Sequence, residues 1–155
     1  MISRAKRILV IGMNYAPELA GVGRYTGDLA AELAKRGHDV TVITTPPHYP
    51  GWTTKDPYSN KYNQRTEGGV RIWRCPLLLR KDMRGIWRLL APLSFAITSM
   101  PFVFWHFFRH RPNVVLCIEP TLLSAPAALV CSRATSTRTV LHVQDLEVDA
   151  AFAVG

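Results

Sequence analysis

Two glycines stand where a ligand could approach the main chain. The run NYAPELAGVGRY, residues 14–25, places Gly21 and Gly23 between a short β-branched segment and a segment with helical periodicity. Glycine allows backbone conformations closed to other residues, and the free N–H groups at a helix N-terminus attract phosphate. We therefore predict an anion-binding loop, although a turn that only needs a positive φ angle would also use glycine. Three neighbours are further substrate-binding candidates: Tyr15, Arg24 and Tyr25.

Polar side chains follow two later apolar runs. Glu119 ends the run NVVLCIE, and Gln144, Asp145 and Glu147 come directly after the run TVLHV. Carboxylates at the carboxyl end of a strand suit hydrogen bonding to sugar hydroxyls, or general-base catalysis where burial raises the pKa. The structural alternative is helix N-capping by Asp145 or Glu119.

Other common sites are absent from the sequence. No GxGxxG directly follows the first apolar run, no acid ends the second, and no GxxxxGK[ST] occurs, which argues against an NAD dehydrogenase and a P-loop NTPase. Three cysteines without a CxxC pair or a nearby histidine argue against a disulfide framework and a zinc site. We expect no metal and a reducing, cytoplasmic environment. The apolar run near the N-terminus is too short for a secretory signal.

Strand and helix patterns alternate along the 155 residues. Short β-branched runs predict strands, and periodic apolar runs predict helices. The predicted strands are 8–12, 40–44, 70–75 (toward an edge), 113–118 and 139–143, and the predicted helices are 24–36 and 122–133, with a long irregular segment over 46–69. This alternation predicts an α/β fold with a doubly wound, mostly parallel, Rossmann-like sheet. Its ligands would bind at the carboxyl ends of the strands.

Positive charge is concentrated in one part of the chain. The formal net charge is +8, and residues 65–111 hold nine basic residues against two acids. Within them, residues 89–108 carry no formal charge and are long enough to span a bilayer as a helix. Pro92, Pro101 and basic residues at both ends argue against a span. A helix that touches the membrane surface and a plain core helix both fit, and nucleic acid fits less well.

Several of these motifs together resemble the N-terminal domain of family 4 glycosyltransferases. The likeness rests on NYAPELAGVGRYTGDLAAELAKRGHDVTVIT, TPPHYPGW, VRIWRCPL, PNVVLCIEP and LHVQDLEVDAAFAVG, which cover nearly the whole chain. The resemblance implies the N-terminal, acceptor-side half (residues 1–155) of a retaining GT-B enzyme, with a C-terminal donor-binding domain absent from this chain. The fragment alone would then be inactive.

The resemblance also implies a substrate class and roles for residues. A nucleotide sugar, with GDP-fucose as the candidate, would donate to a lipid-linked or polysaccharide acceptor in exopolysaccharide biosynthesis of the colanic acid type. The enzyme would work without a cofactor, at the inner face of the cytoplasmic membrane, and Gly21 and Gly23 would approach the donor phosphates. Relatives carry a His-Asp pair where this chain has Gln144 and Asp145. Either Asp145 serves as the catalytic polar contact or that role is absent.

Two other classes of function remain open. One is a non-catalytic module that docks on an anionic membrane or a partner through the Arg80–Arg111 region. The other is a nucleotide-binding regulatory domain, which would require tight nucleotide binding by this chain alone.

Overall fold

The computed structural model describes residues 4–19, 21–118 and 122–143, which form one six-stranded sheet with helices on both faces. Its strands are β1 (Arg7–Ile11), β2 (Asp39–Thr44), β3 (Asn63–Glu67), β4 (Val70–Arg74), β5 (Val114–Ile118) and β6 (Arg138–His142). The strand order is β3-β4-β2-β1-β5-β6, and all neighbours are parallel except β3 and β4. The prediction of a doubly wound, mostly parallel sheet is therefore confirmed.

The helices bury two separate apolar cores against the sheet. Helix α1 (Gly21–Lys35) covers one face, where Val10, Val42 and Ala30 are buried. Helix α2 (Ile86–Trp105), which continues as a π-helical turn (His106–His110), covers the other face together with α3 (Ala125–Thr135). Parallel sheets need both faces covered, which explains why their strands read as continuous apolar runs. All three cysteines are buried, and they are thiols rather than halves of a disulfide bond.

The prediction of an irregular segment over 46–69 was wrong in part, because that segment contains the edge strand β3. The strand predicted over 70–75 has a further neighbour, the antiparallel strand β3, inside the segment predicted to be irregular. All five residues of β3 are exposed, so the strand shows no apolar alternation. Gly68 and Gly69 both have positive φ angles, as a tight two-residue hairpin turn requires. This Gly-Gly pair was the sequence feature from which the hairpin could have been predicted.

Helix α2 runs through both of its prolines. With the π-helical turn it is long and apolar enough, by length and composition, to cross a membrane. One face is nevertheless part of the domain core, where Phe95 and Phe107 are fully buried. Two hydroxyls also anchor the helix to residues 76–78: Ser94 Oγ accepts a bond from the Leu78 N–H, and Thr98 Oγ1 donates to the Pro76 carbonyl, each at 2.7 Å. The helix is thus a core element of this domain.

The opposite face of α2 carries a row of exposed apolar side chains. We call these residues the apolar stripe: Ile86, Leu89, Leu93, Ile97, Met100, Phe104 and Phe108. They recur every three or four residues and so share one side of the helix. Leu89, Ile97 and Phe108 are 69%, 60% and 57% exposed.

Candidate functional site

The loops after β1 and β2 meet at the carboxyl edge of the sheet. Both strands end side by side, and the hydroxyls of Thr44 and Thr45 donate to the Met13 carbonyl at 3.1 and 2.7 Å. The loop that carries the candidate glycines is thereby tied to the loop TPPHYPGW. The loop before α1 and the loop after β2 are therefore in direct contact.

A buried carboxylate joins the two loops. Glu18 Oε1 accepts hydrogen bonds from the backbone N–H groups of His48 and Tyr49, at 3.0 and 3.1 Å. Its other oxygen accepts a bond from the Asn14 side-chain amide at 3.0 Å. The Glu18 side chain is only 3% exposed. Because a buried carboxylate needs such donors, this arrangement fixes the path of residues 45–49 relative to the first loop.

Burial favours the neutral form of His48, which lies within the loop TPPHYPGW. Its side chain is fully buried, and burial lowers its pKa. Nδ1 lies 3.0 Å from the Pro46 carbonyl, to which it donates in the tautomer that this contact favours. Nε2 is then an acceptor, and it has no hydrogen-bond partner among the described residues. The His48 ring also packs against Trp52, with ring centroids 5.3 Å apart.

A buried guanidinium, that of Arg74 at the end of β4, lies at the same edge of the sheet. Arg74 is 3% exposed and donates to the carbonyls of Thr45 and Ala16, both at 2.7 Å. It also lies over the Tyr58 ring, 4.9 Å from its centroid. Burial lowers the pKa of Arg74. One side chain thus contacts both candidate loops through their backbones.

The two candidate glycines have different structural roles. A Cβ at Gly23 would lie 2.6 Å from Glu18 Oε2 and 2.8 Å from Glu18 Cβ, so Gly23 leaves the space that Glu18 occupies. Gly21 has φ +60°, and no atom of the described residues lies within 4 Å of the corresponding position. Gly21 therefore meets the backbone requirement of the first turn of α1 and leaves its own surroundings open. This openness suits the approach of a ligand to the main chain.

The other described candidates are divided between the surface and the core. Arg24 and Tyr25 are exposed on the first turns of α1, and Arg24 Nε lies 4.0 Å from Asp28 Oδ2. Tyr15 is 5% exposed, and burial raises its pKa to about 12. Gly21, Arg24 and Tyr25 therefore share an accessible helix end, while Tyr15 belongs to the packing beneath it. The remaining candidates lie outside the described residues: Glu119, Gln144, Asp145 and Glu147.

Sequence reasoning missed Glu18, His48 and Arg74. Glu18 was the easiest to notice, because it is the first acid in the chain and the one charged residue between Asn14 and Gly23. His48 and Arg74 lie 30 and 56 residues further along the sequence. Their proximity depends on strand order, which periodicity alone does not reveal.

Comparison with known proteins agrees with this architecture. The family model described as "Glycosyl transferase 4-like domain" matches residues 20–154. The Escherichia coli (strain K12) protein named "Putative colanic acid biosynthesis glycosyl transferase WcaI" is 44% identical over 149 residues, or 96% of this chain and 36% of that protein. The chain thus spans about a third of the length of this relative.

A solved structure shows the same fold at low sequence identity. It is the catalytic domain of starch synthase IV from Arabidopsis thaliana bound to ADP and acarbose. Its TM-score is 0.58 at 14% identity, covering 90% of this chain and 33% of that one. The family model and the Escherichia coli relative both cover most of the chain. The chain therefore belongs to the glycosyl transferase 4-like domain family.

Proposed function

We propose that this chain is the acceptor-side domain of a retaining glycosyltransferase of exopolysaccharide biosynthesis. It would work with a donor-binding domain further along a longer protein, and the fragment alone would be inactive. The donor would be a nucleotide sugar, with GDP-fucose as the candidate. The acceptor would be a lipid-linked saccharide or a polysaccharide of the colanic acid type. The likeness to the Escherichia coli relative supports this class of reaction.

The observation that carries the proposal is the carboxyl edge of β1 and β2. There Glu18 and Arg74 hold two loops in one arrangement beside Gly21, whose main chain is accessible. A transferase needs such prepositioned backbone, because reacting groups must be held in place before the sugar moves. We propose that the Gly21 main chain approaches the donor phosphates, with Arg24 and Tyr25 beside it. Asp145 would make the catalytic contact with the sugar, with further contacts from Gln144, Glu147 and Glu119.

Two substitutions at Gly21 test this role. Asn tolerates the left-handed conformation that Gly21 adopts, whereas Val does not. If the donor approaches this main chain, we expect both Gly21→Asn and Gly21→Val to lower sugar transfer by about 100-fold in a protein extended through the donor-binding domain. Transfer is measured as labelled sugar moved from donor to a lipid fraction. Full activity in Gly21→Asn would reduce Gly21 to a turn residue and contradict the proposed donor contact.

A second proposed property is peripheral membrane contact. The apolar stripe is exposed on α2, and basic residues flank it at both ends within the Arg80–Arg111 region. Such a helix lies at the boundary between headgroups and acyl chains, with its cations toward anionic lipid. This contact would hold the enzyme at the inner face of the cytoplasmic membrane, near a lipid-linked acceptor. It would also serve a non-catalytic docking module, the alternative function.

Catalysis and membrane contact separate under substitution. Replacing Arg80, Lys81 and Arg84 by Glu is expected to weaken binding to anionic vesicles and leave the carboxyl edge of the sheet intact. The Gly21 variants are expected to bind vesicles as the unsubstituted protein does. For Gly21→Val we expect loss of transfer with retained vesicle binding. For the variant at Arg80, Lys81 and Arg84 we expect weakened vesicle binding with retained transfer to a detergent-solubilised acceptor. Identical behaviour of both variants would contradict the separation.

A further inference from the structure

A second basic region lies at the opposite edge of the sheet from the candidate site. The amino ends of β1, β5 and β6 border an open groove of about 750 Å³. Five basic residues line it, and we call this site the basic groove: Arg4, Lys6, Arg7, Arg111 and Arg138. All five are exposed, and none of the described residues that line the groove is acidic.

Within the part of the chain that the structure describes, no ion pair neutralises the charge of the basic groove. Among the described residues, every ion pair involves other cations, so no described carboxylate lies within 4.0 Å of these five side chains. Asp39, on the neighbouring strand, is bound by Arg71 at 2.6 Å. Five uncompensated cations around one groove repel one another and attract a multivalent anion.

The backbone that carries these cations is fixed by Asn113. Its side chain accepts a hydrogen bond from the Arg7 N–H at 2.8 Å, and its own N–H donates to the Arg7 carbonyl at 2.8 Å. Its carbonyl accepts a bond from the Arg138 N–H at 3.2 Å. The Arg7 guanidinium also donates to the Arg111 carbonyl at 3.0 Å. Three chain segments are thus held together before any ligand arrives, which reduces the entropic cost of binding.

The apolar stripe ends beside the basic groove. Arg111 lines the groove and follows directly after the π-helical turn that carries Phe108, the last residue of the stripe. Trp105, in the preceding turn, is also 44% exposed. Apolar and aromatic side chains next to a set of cations match the two layers of a lipid surface, acyl chains and headgroup phosphates. A nucleic acid ligand would not account for the adjoining apolar stripe, because its affinity comes mainly from contacts between cations and phosphates.

We propose that the basic groove binds the phosphates of anionic lipid headgroups. This inference rests on the proposed membrane contact of α2 and extends it to residues outside the Arg80–Arg111 region. The groove supplies cations from the starts of β1 and β6, so the surface that meets the bilayer includes one end of the sheet. Basic residues at both ends of α2 would then hold the helix along the membrane plane.

The test uses the purified chain and a triple variant, Arg4→Gln with Lys6→Gln and Arg138→Gln. These side chains make no described hydrogen bond, so the variant is expected to melt as the unsubstituted chain does. The control, Lys55→Gln with Lys61→Gln and Arg65→Gln, removes the same charge at exposed positions away from the groove. Cosedimentation is measured with phosphatidylcholine vesicles, with and without phosphatidylglycerol.

Each cation that reaches an anionic surface contributes about fivefold to binding. We therefore expect about a 100-fold loss in the groove variant on phosphatidylglycerol vesicles, and much less in the control. Equal binding of the groove and control variants would overturn the proposal. Saturable pyrophosphate binding that the groove variant loses, with vesicle binding unchanged, would also overturn it, because the groove would then serve a free phosphate. Equally strong, groove-dependent binding of a DNA oligonucleotide would overturn it in favour of nucleic acid.

A separate variant shows which proposal has failed. Leu89→Gln with Ile97→Gln removes apolar contact in the stripe and is expected to weaken binding to both kinds of vesicle. If this variant loses binding while the groove variant does not, α2 contacts the membrane and the groove proposal fails alone. If the unsubstituted chain binds neither kind of vesicle, both proposals fail.

Discussion

Replacement of Glu18 by Ala is expected to lower the free energy of unfolding by about 3 to 5 kcal/mol. The substitution removes the acceptor for the N–H groups of His48 and Tyr49 and for the Asn14 amide. The carboxylate that accepts these bonds is only 3% exposed, so water has little access to replace it as an acceptor. Hydrogen bonds to a charged group contribute more than neutral ones, and unpaired buried donors add a desolvation cost.

Urea unfolding of the Glu18→Ala variant measures this effect. The control is Glu32→Ala, which removes an exposed carboxylate that pairs with Arg36 at 2.8 Å, and is expected to cost about 0.5 kcal/mol or less. Glu18→Gln keeps one acceptor oxygen but turns an amide donor toward another donor, so an intermediate loss is expected. Equal midpoints for Glu18→Ala and Glu32→Ala would contradict the role of Glu18 in joining the loops.

Replacement of Gly23 by Val is expected to lower the free energy of unfolding by about 2 to 4 kcal/mol. Valine is slightly better than glycine inside a helix, so backbone propensity alone would stabilise the variant. The new Cβ would instead lie within 2.8 Å of two Glu18 atoms, and either α1 or the carboxylate must shift. A shift of the carboxylate also weakens its bonds to residues 48 and 49.

The control for Gly23→Val is Tyr25→Ala, an exposed position on the same part of α1. Surface substitutions of this kind change stability by about 0.5 kcal/mol or less. Thermal and urea unfolding of both variants give the comparison. A Gly23→Val protein as stable as Tyr25→Ala would show that the loop adapts freely. A substitution at Gly23 disturbs the Glu18 carboxylate, so a loss of donor binding in such a variant could come from the altered loop alone. Donor binding is therefore tested at Gly21, where a side chain would meet open space among the described residues.

The parallel core of the fold could be predicted because strands buried on both faces have continuous apolar sequences. The runs around Val10, Val42 and Leu116 are apolar and β-branched without alternation, and each proved to be a strand. Strand β3 has no apolar pattern, because its five side chains are exposed. Its pairing depends on backbone hydrogen bonds and a Gly-Gly turn. Hydrophobic periodicity detects what is buried, so exposed edges escape it.

The candidate site was only partly predictable for a different reason. The loop with Gly21 could be located because ligands bind at the carboxyl ends of parallel strands. The partnership of Glu18 with residue 48 could not, since it joins positions 30 residues apart in segments without periodic pattern. The two exposed residues Arg24 and Tyr25 lie at the expected helix end, whereas Tyr15 is buried beneath it. Local patterns thus locate a loop, while long-range polar contacts depend on the completed fold.

Titration calorimetry with GDP and GDP-fucose tests the central claim most directly. The 155-residue chain is compared at low salt with a version extended through the proposed donor-binding domain. An acceptor-side domain supplies only part of the donor contacts, so saturable binding is expected from the extended protein and none from the chain alone. Tight binding of either nucleotide by the 155-residue chain would contradict the assignment, because the nucleotide site would then lie within this domain.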